Sequence, residues 1–278
     1  MNHFQSLLNV ASAKSLYPAS ALEAFWAKPK RSTAIIVGVL AAIAVIGILS
    51  AVLSGRAAVL VLDKPSRHFF YPFTIQNLMH VVFFVGLSDL FVRWRIASRE
   101  KAFLRVHYLP EDDKTVLVSR DLGPIRKRLI GEFDHENGFL PSLINLAVLQ
   151  FQSSGSVEQA AGVMSQHLDL MSNRVDMRYG LVRFIAWVVP TLGFIGTVYS
   201  LGASLSAAGL SETLDLKEVA KTLGVGFDCT MVALVESAIL VFLLHLVQEK
   251  EESAVNSAGD YTLRNLINRL YSEDDQSQ

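Results

Sequence analysis

A single cysteine, Cys229, stands in a chain of 278 residues. One thiol excludes an intramolecular disulfide framework, and inside an apolar run it is expected as a small buried side chain. Charge is scarce as well, at 18% of residues, with 25 Lys and Arg against 26 Asp and Glu. Without a basic excess there is no electrostatic footprint for nucleic acid. No phosphate-binding glycine loop, zinc spacing, Gly-x-Ser-x-Gly elbow or internal repeat is found. No enzyme is expected, and no cofactor. Asp134, His135 and Glu136 are consecutive, and three neighbours in a glycine-flanked loop cannot all point at one ion, so they are read as a solvated loop and no metal is expected.

What the chain does have is apolar sequence. Hydrophobic residues make up 51% and mean hydropathy is +0.36, too apolar for an ordinary soluble domain. Ala34 to Leu53 contains no charge and suffices to cross a bilayer, which takes about 20 apolar residues. It is longer than a signal-peptide core and no clean cleavage site follows, so it should stay attached. Phe73 to Val92 is a second span, with Pro72 expected at its first turn. It carries Gln76, Asn77, His80 and Asp89, so it should face protein more than lipid. Asp89 and Arg93 are expected to form an i,i+4 pair, and His80 to hydrogen-bond between helices. Leu181 to Leu205 and Leu223 to Val247 are spans three and four, joined by a polar loop with Ser211, Glu212, Asp215, Lys217 and Glu218.

The expected fold is an all-α membrane protein, four transmembrane helices in two hairpins with helical cytoplasmic extensions. The expected divisions are an N-terminal cytoplasmic or interfacial segment (1–32), a first hairpin (33–94), a helical cytoplasmic region (95–180), a second hairpin (181–248) and a cytoplasmic helix and tail (249–278). Basic residues cluster before span one (Lys28, Lys30, Arg31), after span two (Arg93, Arg95, Arg99, Lys101, Arg105) and before span three (Arg174, Arg178, Arg183). The positive-inside rule places both termini in the cytoplasm. In the region between the hairpins, Gly123-Pro124, Gly131 and Asn137-Gly138 read as breakers between short helices. Ser156 to Gln159 reads as a capping box opening a helix that continues into span three. Leu263, Leu266, Ile267 and Leu270 suggest a further helix after span four.

Span three contains "WVVPTLGFIGTV", with a proline and two glycines where leucine would favour a helix. At 100° per residue Pro190, Gly193, Thr197, Leu201 and Ser204 fall on one stripe, with Ala186 below. Thr230, Ala233, Leu234, Ser237 and Val241 form a similar stripe on span four. Such faces permit close helix packing. The proline adds a freed backbone carbonyl, tolerated in a membrane only where protein or water satisfies it. Asp228 and Glu236 lie on span four roughly opposite Thr230, which suggests ion access or a subunit interface.

"PTLGFIGTV" on span three, followed by "LGVGFDCTMVALVESAIL" on span four, resembles the signature of the MotA/TolQ/ExbB proton-channel family. The resemblance implies a bacterial inner-membrane, ion-driven motor subunit. Five such subunits would surround a dimer of a single-span MotB/TolR/ExbD-like protein with a membrane aspartate, carrying H+ or Na+. Carried over to this sequence, Pro190 is the kink proline, Gly193 and Gly196 are close-approach glycines, and Thr197 and Thr230 are ion-path hydroxyls. Ser204, Ala233 and Ser237 join them as a pore-side face of small residues. Four spans with a domain between the hairpins resemble the flagellar-stator arrangement more than the three-span pattern. The alternative is a non-conducting scaffold whose small residues only pack helices.

Overall fold

The computed structural model describes residues 31–64, 70–112, 114–130, 133, 138–210 and 216–271. The expected N-terminal segment up to residue 30, the acidic loop at 134–136, residues 211–215 of the loop between spans three and four, and the tail from 272 lie outside the described residues. The elements are α1 (Arg31–Val52), α2 (Gly55–Leu62), α3 (Ile75–Phe103), α4 (Ser119–Leu129), α5 (Phe139–Ser154), α6 (Val157–Arg178), α7 (Gly180–Leu210), α8 (Leu216–Asn265) and a 3-10 turn, Ile267–Arg269. Among the described residues no strand is formed beyond an isolated parallel bridge between Leu117 and Leu270. Four stretches, Arg31–Val52, Ile75–Phe103, Val157–Ser206 and Val219–Arg269, contain helix long and apolar enough to cross a membrane. The chain is an all-helical, multi-pass membrane protein.

Burial follows a bilayer's rules. On α1 the buried residues are Ala34, Gly38, Ala42 and Ile46, one small-residue stripe at a spacing of four. Ile36, Leu40, Ile43 and Ile48 are exposed, which suits hydrocarbon and would be costly in water. The buried stripe packs on α3. A Cβ at Gly38 would sit 2.9 Å from the Phe84 carbonyl oxygen, so only glycine allows this approach. The Ser88 hydroxyl donates to the Ala34 carbonyl at 2.6 Å, and Arg31 lies 3.7 Å from Asp89. Residue numbers rise on one helix as they fall on the other, so the two run antiparallel. Asp89 therefore meets Arg31 across the helix pair, and the expected Arg93 acts on it electrostatically as well.

Helix α3 starts two residues later than expected. Thr74 is its N-cap, its side chain accepting from the Asn77 backbone N–H at 3.2 Å. Pro72 precedes the helix and is not in its first turn; its carbonyl accepts from the Asn77 side-chain amide at 2.7 Å. A threonine can accept a bond from an orphan N–H of the first turn, and proline has no side-chain acceptor to offer.

At the other end of the bundle α4, α5 and α6 pack around the lower part of α8. Gly123 and Pro124, expected as breakers, lie inside α4. The proline forfeits one backbone bond near the start of the helix, while Leu122, Ile125 and Leu129 bury one amphipathic face. Gly138 (φ 82°) and Gly155 (φ 67°) take left-handed backbone at the two ends of α5, where a side chain would be strained. The start of α5 is capped from afar: Glu100 of α3, itself buried, accepts from the backbone N–H groups of Gly138 and Phe139, both at 2.8 Å. A carboxylate at this position satisfies two orphan donors and the positive end of the helix dipole.

Ser156 caps α6 as expected, accepting from the Gln159 N–H. Only Tyr179 separates α6 from α7, so the expected continuation of this helix into span three is observed with a one-residue break. Helix α8 is continuous over 50 residues. The helix expected after span four is realised as the continuation of α8 to Asn265. The helix ends at Asn265, the 3-10 turn follows, and the Leu117 and Tyr271 N–H groups bond to the Arg269 and Leu117 carbonyls at 2.8 and 3.0 Å. Leu266, Ile267 and Leu270 are buried by this turn while Leu263 stays exposed, so their helical spacing served packing without prolonging the helix.

The break at Tyr179 is held by Glu251 of α8, which is fully buried. Its two oxygens accept from the Tyr179 hydroxyl at 2.7 Å and the Arg178 guanidinium at 3.0 Å. Replacing Tyr179 with phenylalanine should destabilise the protein by about 1–3 kcal/mol, the cost of leaving a buried acceptor short of a donor. Thermal unfolding of the detergent-solubilised protein would read this as a lower midpoint; an unchanged midpoint would contradict it.

Candidate functional site

The most extensive helix contact in the chain is between α7 and α8, and the two small-residue stripes are what meet there. Thr197 donates to the Gly226 carbonyl at 2.8 Å and Thr230 to the Gly193 carbonyl at 3.0 Å. Gly193 stands four residues before Thr197, and Gly226 four before Thr230, so the bonding is reciprocal. Each threonine reaches the carbonyl one turn below the other. The two hydroxyl oxygens also contact each other, and Thr197 has its own Gly193 carbonyl as a further acceptor. Two hydroxyl protons thus face more acceptors than they can fill, and their arrangement can switch by rotation alone.

Glycine is what brings the backbones this close. A Cβ at Gly193 would overlap the Cβ of Ala233, and one at Gly196 would lie 2.6 Å from the Cys229 sulfur. Pro190 does not break α7. Lacking an N–H, it leaves the Ala186 carbonyl without its helical donor, and the Ser237 hydroxyl of α8 donates to that oxygen at 2.9 Å. The carbonyl expected to be freed by the proline is thus satisfied by a residue of the same site.

The placement changes the reading of the stripes. They were expected to form a wall facing a separate mobile helix, yet within the chain they face each other. Gly193, Gly196, Ser204 and Ala233 are buried, Ser204 bonding back to the Ser200 carbonyl. Pro190, Thr197, Thr230 and Ser237 are only half-buried and form the accessible edge of the seam. Close approach of two glycine-bearing helices buries whatever lies at the centre of the stripe, which helix periodicity alone does not reveal.

Asp228 and Glu236 point away from the threonines, toward the first half of the chain. Both are buried. Asp228 accepts from Arg56 of α2 at 2.9 Å, and Glu236 meets His80 of α3 at 2.5 Å. The expected interhelix role of His80 is observed in this contact. Helix α2 was not anticipated at all. Its eight residues are capped by Asp63 in left-handed conformation, and its last carbonyls are taken by α3: Thr74 donates to Leu62 at 3.2 Å and His80 Nε2 to Val61 at 2.8 Å. Gln76, also buried, lies 3.4 Å from the Leu60 carbonyl. The polar residues of span two therefore face protein, as expected, and their partners are the end of a helix too short to be read as one from sequence. Among the described residues no group of three His, Cys, Asp or Glu could hold a metal.

A bundle of apolar helices whose last two spans share a hydroxyl-bearing, glycine-tight seam defines a multi-pass membrane protein with hydroxyls held between apolar helices. Residues 136–258 match the family model described as the MotA/TolQ/ExbB proton channel family. This segment covers α5 to the lower half of α8 and contains the whole seam. No curated protein and no solved structure matches the chain.

The seam makes a direct prediction. Gly193→Ala should destabilise the α7–α8 contact by about 1–3 kcal/mol through overpacking. Ala233→Gly in the same chain should restore much of the loss by removing the opposing methyl. Thermal unfolding of the two single variants and the double variant measures the coupling; purely additive effects would refute the contact.

Proposed function

We propose that the chain is a subunit of an ion-motive-force-driven motor, conducting protons in the first place and sodium as the second candidate, and converting ion flow into mechanical work. The observation that carries this reading is the reciprocal Thr197–Thr230 contact at a half-buried edge, within a segment that matches the proton-channel family model. A charge crossing hydrocarbon needs oxygen ligands or a hydrogen-bonded path, and a fixed charge there is costly. Neutral hydroxyls with switchable protons supply the path without the charge.

In this reading the accessible edge formed by Pro190, Thr197, Thr230 and Ser237 faces a single-span MotB/TolR/ExbD-like partner whose membrane aspartate carries the ion. Five copies of this chain surround a dimer of that partner in a bacterial inner membrane. The basic clusters favour a cytoplasmic position for both termini and for α4 to α6. Helix α2 then lies at the periplasmic end. The protein acts as a transporter and mechanical element, not as an enzyme, and needs no cofactor. The competing reading is a non-conducting scaffold, favoured by the internal satisfaction of both threonines.

Thr197→Val and Thr230→Val, each isosteric but without the hydroxyl, separate the two. If the hydroxyls line the path, ion flux through the assembled complex in liposomes falls at least roughly tenfold, the effect of about 1.4 kcal/mol on a barrier, with serine at either position retaining flux. A scaffold instead loses assembly, read by native mass spectrometry of the chain co-expressed with a single-span, aspartate-bearing neighbour. Intact assembly with undiminished flux would defeat the ion-path assignment.

A further inference from the structure

The pair His80–Glu236 lies outside the seam, and its geometry fixes its proton content. His80 Nε2 faces the Val61 carbonyl at 2.8 Å. A carbonyl only accepts, so Nε2 carries hydrogen. The other ring nitrogen, Nδ1, stands 2.5 Å from Glu236 Oε1. Two lone pairs cannot approach so closely, so a proton lies between them, whether drawn on the imidazole or on the carboxyl. The two contacts exist together only while that proton is held. Both residues are more than nine-tenths buried, and Glu236 Oε2 is buried without a partner among the described residues. The carboxyl therefore depends on this one contact for its satisfaction.

The surroundings isolate the pair. From α2 come Arg56, already bonded to Asp228 of α8, and Asp63 at the helix end. Cys229 of α8 is within electrostatic reach of both Asp63 and Glu236. On α3 the next charged group is Asp89, held by Arg31. Neither α1 between 32 and 52 nor α7 between 184 and 210 carries a charged side chain. Among the described residues, neither His80 nor Glu236 is hydrogen-bonded to a second titratable side chain.

We propose that His80 and Glu236 form a proton-binding site, one in each chain, whose bound proton fastens α2 to α8 through the α3 imidazole. The ligand is the proton itself, and the element it controls is the short helix whose terminal carbonyls hang on Thr74, Gln76 and His80. With the proton in place the imidazole bridges the Val61 carbonyl and the Glu236 carboxyl. Without it, the single hydrogen left on the imidazole serves Glu236 or Val61 but not both, and the bridge from α2 to α8 opens while the Arg56–Asp228 pair remains. The fastening is present below the pH at which the proton leaves and lost above it. The site stands on its own geometry and does not depend on the seam being an ion path.

The test uses the full chain in lipid nanodiscs over a pH series. Infrared difference spectra of wild type against Glu236→Gln isolate the Glu236 carboxyl, and nitrogen-15 spectra of wild type against His80→Gln isolate the His80 ring. Amide hydrogen exchange of residues 55–62 reports on α2. The site requires that both groups change in one joint step, and that exchange of 55–62 accelerates several-fold beyond its intrinsic pH dependence in that same step. His80→Gln, which keeps a side-chain donor but has no titratable proton, should abolish the extra acceleration. Separate steps for the two groups, or exchange at 55–62 that follows only the intrinsic dependence, would overturn the proposal. Should Glu236→Gln fail to fold, Glu236→Asp keeps the carboxyl but shortens its reach; the joint step should then split in two, and an unsplit step would count against the site.

Discussion

Hydrocarbon offers no hydrogen bonds, so every polar group that this chain carries into its apolar helices must find its partner within the protein. That constraint organises the structure. It accounts for the Ser88 hydroxyl on the Ala34 carbonyl, for Ser237 on the carbonyl that Pro190 releases, and for the exchange of carbonyls between Thr197 and Thr230. Each of these bonds needs two backbones close together, and glycine at 38, 193, 196 and 226 provides the room. Small residues and hydroxyls are two halves of one solution: the first lets helices approach, the second binds them once they have.

The same constraint leaves buried carboxylates at two levels along the bundle. At one end Glu100 and Glu251 are buried but satisfied by several donors each, fixing the start of α5 and the break between α6 and α7. At the other end Asp228 and Glu236 are each held by a single residue, Arg56 and His80. The seam, at the level of Asp228 and Glu236 on α8, carries no charged side chain. A stiff, well-satisfied base and a sparsely held far end suit a molecule in which long helices transmit displacement, since α8 runs unbroken through both. The single-residue interruption at Tyr179 lies where Glu251 can brace it from α8.

Helix α2 shows how a short element can matter more than its length suggests. Eight residues cannot sustain a helix alone, and nothing in its sequence marks it beyond Gly55 and Asp63. It exists because Thr74, Gln76 and His80 take its terminal carbonyls and Arg56 reaches Asp228. In return it gives the polar residues of span two something to bond, so neither is explicable without the other.

The sequence by itself determined the four spans, the helical class, the continuation of α6 into α7 and the small-residue stripes, because these follow from hydrophobic length and from a period of 3.6 residues, both local properties. Ser156 could be read as a cap for the same reason, its partner being three residues away. Tertiary structure alone decided which way the stripes turned: onto each other, with Gly193 and Ala233 closed inside and Thr197 and Thr230 left at the edge. It also decided that Asp89 pairs with Arg31, that Pro124 stays within a helix, and that the segment after Asn265 turns back to Leu117. Above all it chose the partners of Asp228 and Glu236, 172 and 156 residues away in the chain. A helix wheel gives the direction of a side chain from its own axis and contains no information on which other helix lies there.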